Sequence, residues 1–204
     1  MSIRYYVYIG DTKVDMMLPQ IDPGFAHSRE TEVRAGVSLV GATRKVAKAV
    51  PDRVARLERV VRHLQDHMDI GTPDAPGAYF AGILPARMLV QSPDSVYFGG
   101  ATETTEIGLG GSASHLVTPS MPASEEIPMG SHMPGILRVL AAVSETGETA
   151  EEPGLADDVH QANRRIRGPL QNIEVLAKLL AYEPGAHDGN AVVVGSPIYV
   201  ALAD

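Results

Sequence analysis

A serine and a histidine lie close together in a glycine-rich stretch near the middle of the chain. Residues 108–115 read GLGGSASH, which places Ser112 three positions before His115. A serine hydroxyl and an imidazole can act as nucleophile and base, and such groups assemble in space rather than in sequence. The nucleophile elbow, however, requires Gly-x-Ser-x-Gly, and Ser114 stands where its last glycine should be. A small hydrolase-type enzyme using Ser112 and His115 is therefore the alternative interpretation.

The favoured interpretation of the same stretch is a site for a small polar or anionic ligand. Glycines leave backbone N–H groups uncovered, and successive exposed amides can form a concavity that binds anions. Aromatic walls would come from tyrosines if the terminal strands lie beside this stretch. The predicted ligand-binding residues are Gly110, Gly111, Ser112, Ser114, His115, Tyr6, Tyr8 and Tyr199. The competing interpretation is a structural bend whose amides are paired with neighbouring strands.

Cofactor and metal motifs are weak in this sequence. Residues 108–113 fit the dinucleotide pattern GxGxxA, but that pattern requires a helix directly afterwards, and Pro119 and Pro122 follow instead. His63 and His67 have the four-residue spacing of HExxH, but the glutamate is missing and Arg62 would repel a cation. We therefore predict no cofactor and no metal.

The distribution of charge argues against a nucleic-acid partner. The chain has 25 Asp and Glu against 17 Lys and Arg. Residues 71–204 are strongly acidic, whereas arginines recur every three residues at Arg53, Arg56, Arg59 and Arg62. No aromatic residue occurs between Phe25 and Tyr79, so this basic stripe lacks a platform for stacking bases. A solvated face, or one facing protein, is the better interpretation of the stripe.

The composition indicates the cellular compartment in which the protein is expected. The chain has no cysteine, which excludes disulfides and thiolate metal sites and suits a reducing compartment. No apolar run approaches the roughly 18 residues of a membrane span, and the tyrosine-rich N-terminus does not resemble a signal peptide. We expect a cytoplasmic protein without a membrane partner.

Apolar periodicity predicts sheet first, with helices inserted and appended. The predicted strands are 3–9, 32–40, 79–90, a hairpin over 95–110, and 191–202, and the predicted helices lie near 52–68 and 155–182. A proline-rich loop at 118–133 and an acidic linker at 144–153 interrupt them. Together these features predict a single α+β domain over residues 1–204, with an antiparallel or mixed β-sheet covered by two or three long helices.

Three stretches carry a resemblance to a known family. The N-terminal YYVYIGDTKVDMMLPQI, the central VYFGGATETTEIGLGGSASHLV and the C-terminal GSPIYVALA resemble a family of uncharacterised actinobacterial proteins. The resemblance implies a bacterial, cytoplasmic protein and transfers no catalytic residue. Our functional prediction is a non-enzymatic module that binds a small polar ligand or a protein partner, and a purely oligomeric interaction protein is a further alternative.

Overall fold

The computed structural model describes residues 3–22, 50–92, 94–117, 154–187 and 189–203. They form two compact units, one over Asp11–Met68 and one over Met1–Gly10 with Asp69–Asp204. The helices are α1 (Asp11–Ile21), α2 (Val50–His67) and α3 (Leu155–Arg165). The strands are β1 (Tyr5–Ile9), β2 (Ile70–Gly71), β3 (Tyr79–Ser92), β4 (Ser95–Ala101), β5 (Thr105–Gly111), β6 (Gln171–His187) and β7 (Asn190–Leu202).

Five of the strands close into a barrel. Strand β3 pairs with β4, β4 with β5, β5 with β7, β7 with β6, and β6 returns to pair with β3. The β5–β7 pair is parallel and the other four are antiparallel. Strands arranged in this order, with a helix between the third and fourth, have the connectivity of an OB-fold. Connectivity alone does not establish a function.

The interior of the barrel is filled by alternate residues of each strand. In β4 and β5 the inward residues are Val96, Phe98, Ile107 and Leu109, all of them buried. Side chains between them point outwards, and helix α3 covers part of this outer face. The contact uses the apolar stripe of the helix, which includes Val159 and Ala162. The barrel therefore has an apolar core inside and a second apolar layer beneath α3.

Strand β7 is continuous but changes its neighbour half-way. Residues 191–195 pair with β5, and residues 199–202 pair with β1. One neighbour gives way to the other at Gly195-Ser196-Pro197. Pro197 lacks an N–H to donate, so it fits a place where the ladder changes partner.

The predicted α+β architecture, an antiparallel or mixed sheet covered by two or three long helices, is wrong. About half of the described residues are in strands, more than are in helices, and the sheet closes on itself instead of lying open beneath helices. A closed barrel buries its own inner face, so it needs no covering layer of helices. Within the described residues, α1 and α3 have 11 residues each and α2 has 18.

The error arose mainly in the segment 155–182, which we expected to be helical throughout. Helix α3 ends at Arg165, and β6 begins at Gln171. Spacings of three and four connect Leu170, Ile173, Leu176 and Leu180, and these imitate a helix. The barrel instead uses the period-two set Ile173, Val175, Ala177 and Leu179. Gly168, at a φ of 127°, lies in the break between helix and strand.

Other predicted elements are confirmed. The hairpin over 95–110 forms as β4 and β5, the helix near 52–68 forms as α2, and the strands at 3–9, 79–90 and 191–202 form as β1, β3 and β7. Three predicted segments lie outside the described residues, namely strand 32–40, the proline-rich loop 118–133 and the acidic linker 144–153. None of the described helices has the length and apolar character needed to cross a membrane.

The helical unit is held by packing and by ion pairs. Helices α1 and α2 pack against each other, with Val14, Leu18, Leu57 and Leu64 buried. The arginine stripe of α2 faces acidic residues of the same unit: Arg53 pairs with Asp11 at 2.7 Å, Arg56 with Asp15, and Arg59 with Asp22. Most of the basic stripe therefore contacts protein.

Candidate ligand-binding cavity

A cavity of about 620 Å³ opens between α3 and the outer face of the barrel. Its floor comes from the outward residues of β3, β4 and β5, and its far side from α3 and the turn that follows it. This volume falls in the range of roughly 300–1,000 Å³ found for small-molecule sites. All the lining residues belong to the barrel unit. The cavity is therefore large enough for one small ligand.

Three arginines give the cavity a cationic wall. Arg87 projects from β3, Arg164 lies in the last turn of α3, and Arg167 follows the helix. Arg87 Nε donates a hydrogen bond to the backbone oxygen of Gly168, at 3.3 Å, which brings this side chain to the segment that carries Arg167. No ion pair within the described residues engages any of the three arginines.

The cavity lining also includes a carboxylate and an imidazole. Glu106 points outwards from β5, and its Oε1 accepts a hydrogen bond from His160 Nδ1 at 2.6 Å. The other carboxylate oxygen, Oε2, is buried and has no hydrogen-bond partner among the described residues. Among the described lining residues Glu106 is the only acidic one. One oxygen of Glu106 is thus already engaged by His160.

Asn163 fixes the helix to the cavity floor. Its Nδ2 donates to the backbone oxygens of Gly100 (3.2 Å) and Ile107 (3.3 Å), and its Oδ1 accepts from the hydroxyl of Tyr97 at 3.0 Å. Burial, reinforced by the negative charge of Glu106, raises the pKa of Tyr97, so this hydroxyl stays protonated as a donor. Gly99 allows the close approach, because a Cβ there would lie 2.2 Å from Asn163 Oδ1.

The predicted glycine-rich site is divided into two groups by the structure. The first consists of Gly110, Gly111, Ser112, Ser114, His115 and Tyr8. Tyr8 is fully buried, and its Oη shares a hydrogen bond with His115 Nδ1 at 3.2 Å. The Ser112 hydroxyl lies 2.8 Å from that of Ser114 and caps the short 3₁₀ turn Ala113–His115.

Tyr6 and Tyr199 form the second group, on the outer face of the sheet. Their rings meet edge to face, with centroids 5.5 Å apart. Strict alternation would place Tyr6 and Tyr8 on one face, but the register between β1 and β7 shifts at Val7. This bulge turns Tyr8 into the barrel core. The eight predicted site residues therefore do not surround one cavity.

Glu174 and Arg4 complete the outer tyrosine group. The Tyr199 hydroxyl donates to Glu174 Oε1 at 2.7 Å, and Arg4 Nε donates to both carboxylate oxygens at 3.0 and 3.1 Å. Burial alone would raise the pKa of Glu174, but the hydrogen bonds from Arg4 and Tyr199 hold it below its usual value. Burial and the hydrogen bond to Glu174 both raise the pKa of Tyr199.

The histidine pair of α2 is arranged as a stack. The rings of His63 and His67 lie 4.3 Å apart and are nearly parallel, at 16°. His67 Nδ1 also lies 3.0 Å from the backbone oxygen of His63. Over the ranges that the structure describes, no group of three or more potential ligands is arranged to hold a metal ion.

Comparison with known proteins identifies the family. A family model described as a family of unknown function, DUF7019, matches residues 4–204. The chain belongs to DUF7019. The expected resemblance to a family without assigned activity is thereby confirmed. No curated protein and no solved structure matches the chain.

Sequence reasoning missed the cavity residues of this DUF7019 chain because they come from four separate elements. Arg87, Glu106, His160 and Arg167 are spread over 80 residues, and no local motif connects them. One signal was available in the composition. Residues 71–204 contain only six Lys and Arg, and Arg164, Arg165 and Arg167 bring three of them into one short stretch.

Proposed function

We propose that this DUF7019 protein binds a small anionic ligand in the cavity between α3 and the barrel. One observation carries the proposal: three of the six Lys and Arg residues in the acidic region 71–204 line this single cavity. Arginines scattered at random over the acidic surface would have been expected to pair with some of its 16 carboxylates.

The charge balance of the cavity supports an anionic occupant. The like charges of the arginines within one small cavity repel each other. A bound anion attracts each arginine, and this attraction offsets the repulsion between them. The planar guanidinium group also suits carboxylate and phosphate, because it can donate two parallel hydrogen bonds. A competing role exists for Arg164, which lies in the last turn of α3 and offsets the negative end of the helix dipole. The decisive arginines are therefore Arg87 and Arg167, which lie outside the helix.

Calorimetry and thermal shift with inorganic phosphate, sulfate and citrate test the proposal. An anion at about 100 times its dissociation constant should stabilise the protein by about 2.7 kcal/mol. The double variant Arg87→Gln, Arg167→Gln should bind the same anion at least tenfold more weakly. Arg62→Gln is the matched control, since Arg62 is an exposed arginine of α2 that does not line the cavity. Anion binding that Arg62→Gln weakens as much as the double variant would contradict the proposal, as would no binding at all.

We also propose that the protein does not bind nucleic acid. The arginines of the basic stripe, Arg53, Arg56 and Arg59, are engaged by acidic residues of their own unit. Helix α3 covers part of the outer face of β4 and β5, the face on which OB-folds bind oligonucleotides. Fluorescence anisotropy with labelled single- and double-stranded oligonucleotides should show no salt-sensitive binding in the micromolar range.

For the site of action we propose the cytoplasm. The absence of cysteine from all 204 residues supports this location, because secreted domains often rely on disulfides. Fractionation of cells that express the full chain, followed by detection with an antibody, tests the proposal. Recovery in the secreted or membrane fraction would contradict it.

A further inference from the structure

The two stacked histidines of α2 are placed so that both could ligate one ion. His63 and His67 are about one helical turn apart, and their ring centroids lie 4.3 Å apart at an interplanar angle of 16°. Side chains four residues apart on a helix are neighbours on its surface. Zinc proteins with the HExxH motif use two histidines at this spacing, on one helical face, as metal ligands.

The hydrogen bond made by His67 leaves free the ring nitrogen that a metal needs. His67 Nδ1 lies 3.0 Å from the backbone oxygen of His63. A carbonyl oxygen can only accept, so Nδ1 carries the proton and the lone pair of the neutral ring is on Nε2. Histidines that bind metals usually donate their second N–H to a carbonyl or a carboxylate, because that bond fixes the tautomer and the orientation of the ring. His67 already makes such a bond.

Both rings can be reached by an ion from solvent. His63 is half-buried and His67 is exposed. A metal ion lies close to the plane of each imidazole that binds it, whereas the two stacked rings are nearly parallel. Binding therefore requires both rings to turn about χ2. The χ2 torsion of histidine has broad minima, so this rotation costs little energy.

The charges around the pair oppose a cation less than the sequence suggested. Arg62 precedes His63 in the chain, but neighbours at i and i+1 do not face each other on a helix. Arg59, which lies about one turn before His63, is engaged by Asp22. The pair also lies at the C-terminal end of α2, where the helix dipole is negative. The repulsion expected from the arginines is therefore reduced.

We propose that His63 and His67 together bind a divalent transition metal ion, Zn²⁺ or Ni²⁺, through their Nε2 atoms. The proposal is separate from the anion site and revises the expectation of no metal. The described residues provide no group of three or more ligands, so the remaining coordination positions are left to water. Imidazole suits Zn²⁺ and Ni²⁺, whereas Mg²⁺ prefers oxygen ligands. The glutamate of HExxH acts as a general base, so its absence does not remove either ligand.

Isothermal titration calorimetry of the full chain without a histidine tag tests the proposal, with Zn²⁺, Ni²⁺ and Mg²⁺ as the probes. The wild-type protein should bind one equivalent of Zn²⁺ or Ni²⁺ and should not bind Mg²⁺. His63→Gln and His67→Gln should each weaken the binding of both transition metals at least tenfold, because each variant leaves a single imidazole that cannot chelate. Far-ultraviolet circular dichroism verifies that the variants fold.

A spacing variant distinguishes chelation from a general attraction of cations to the helix. The double variant His67→Gln, Gln65→His keeps two histidines on α2 but sets them two residues apart, so their side chains do not face each other. It should bind as weakly as His67→Gln. Asp66→Asn removes an exposed carboxylate beside His67 and should change the affinity less than twofold. The proposal is overturned if the wild type binds neither transition metal, if either single histidine variant or the spacing variant keeps wild-type affinity, or if Asp66→Asn weakens binding as much as His67→Gln.

Discussion

Gly111 lies directly against the buried ring of Tyr8. A Cβ at position 111 would be 2.3 Å from Tyr8 Oη and 2.7 Å from Cζ, closer than carbon side-chain atoms approach one another in proteins. Tyr8 cannot easily move away, because it is fully buried and also shares a hydrogen bond with His115. The glycine at 111 is thus required by packing, since it lets β5 and the N-terminal strand approach each other.

Substitution of Gly111 by alanine should destabilise the protein by about 1–3 kcal/mol, the usual cost of adding a methyl group to a full core. Urea denaturation measures the change in the free energy of unfolding. Gly154→Ala is the control, because a Cβ there meets nothing within 4 Å; as Gly154 is the N-cap of α3, this variant should lose no more than about 0.5–1 kcal/mol. Equal free energies of unfolding for the two variants would contradict this prediction, because they would show that the Tyr8 ring can move to accommodate a Cβ at position 111.

Asn163 should be as important for stability as for the shape of the cavity. Asn163→Ala removes the acceptor for the Tyr97 hydroxyl and the donor to two backbone oxygens in a half-buried site. Leaving these groups without partners should cost about 1–3 kcal/mol. Gln161→Ala, on the same helix and outside the cavity lining, should change the free energy of unfolding by less than about 0.5 kcal/mol. A loss in Asn163→Ala no greater than in Gln161→Ala would contradict this role.

Local patterns predicted the hairpin well and the segment 166–182 poorly, for a physical reason. Val96 and Phe98 alternate with outward residues, and this alternation decides which face of the hairpin enters the core. In β6, by contrast, both faces carry apolar residues: Ile173 and Val175 point into the barrel, while Leu180 is exposed outside. A strand that is apolar on both faces can match the apolar spacing of a helix by coincidence. Only the pairing of β6 with β3, which closes the barrel, decides between helix and strand for this segment.

The candidate site depended on contacts that no local pattern records. Ser112, Ser114 and His115 lie together because Ser112 caps the 3₁₀ turn that contains the other two. The link between Glu106 and His160 spans 54 residues and depends on how α3 lies across the barrel. The bulge at Val7 likewise separates Tyr6 from Tyr8, and such an irregularity cannot be read from alternation.

The ion pair between Arg4 and Glu174 should contribute to stability at neutral pH and fail in acid. The hydrogen bonds from Arg4 and Tyr199 outweigh burial and lower the pKa of Glu174 in the folded state. The unfolded chain then binds a proton more readily, so this stability is present above the usual glutamate pKa of about 4.3 and is lost as the pH falls below it.

Glu174→Gln tests this dependence. At pH 7 the substitution should lower the free energy of unfolding by about 1–2 kcal/mol, because the pair is only partly exposed. The difference from wild type should shrink between about pH 4.5 and pH 3. Glu183→Gln, on the same strand, is the control. A difference that stays constant over this range would contradict the lowered pKa.

Lys13 of α1 should make the free energy of unfolding rise with pH in the alkaline range. Burial lowers the pKa of Lys13 to about 8, against 10.5 in the unfolded chain. Below about pH 8 both states carry the proton, and the folded state pays the full cost of a buried charge. Between pH 8 and 10 the folded lysine loses its proton first, so the unfolded state binds more protons and the free energy of unfolding rises with pH.

Lys13→Met should abolish this rise, because a neutral side chain of similar length removes the titrating group. The measurement is urea denaturation at half-unit steps from pH 7.5 to 9.5, a range that ends before unfolded tyrosines titrate near pH 10. We expect Lys13→Met to be more stable than wild type at pH 7.5, with the gap closing as the pH increases. Lys178→Met is the control, since Lys178 is exposed on β6. If the gap between wild type and Lys13→Met does not change with pH, Lys13 is not held charged at a cost, and burial does not govern its titration.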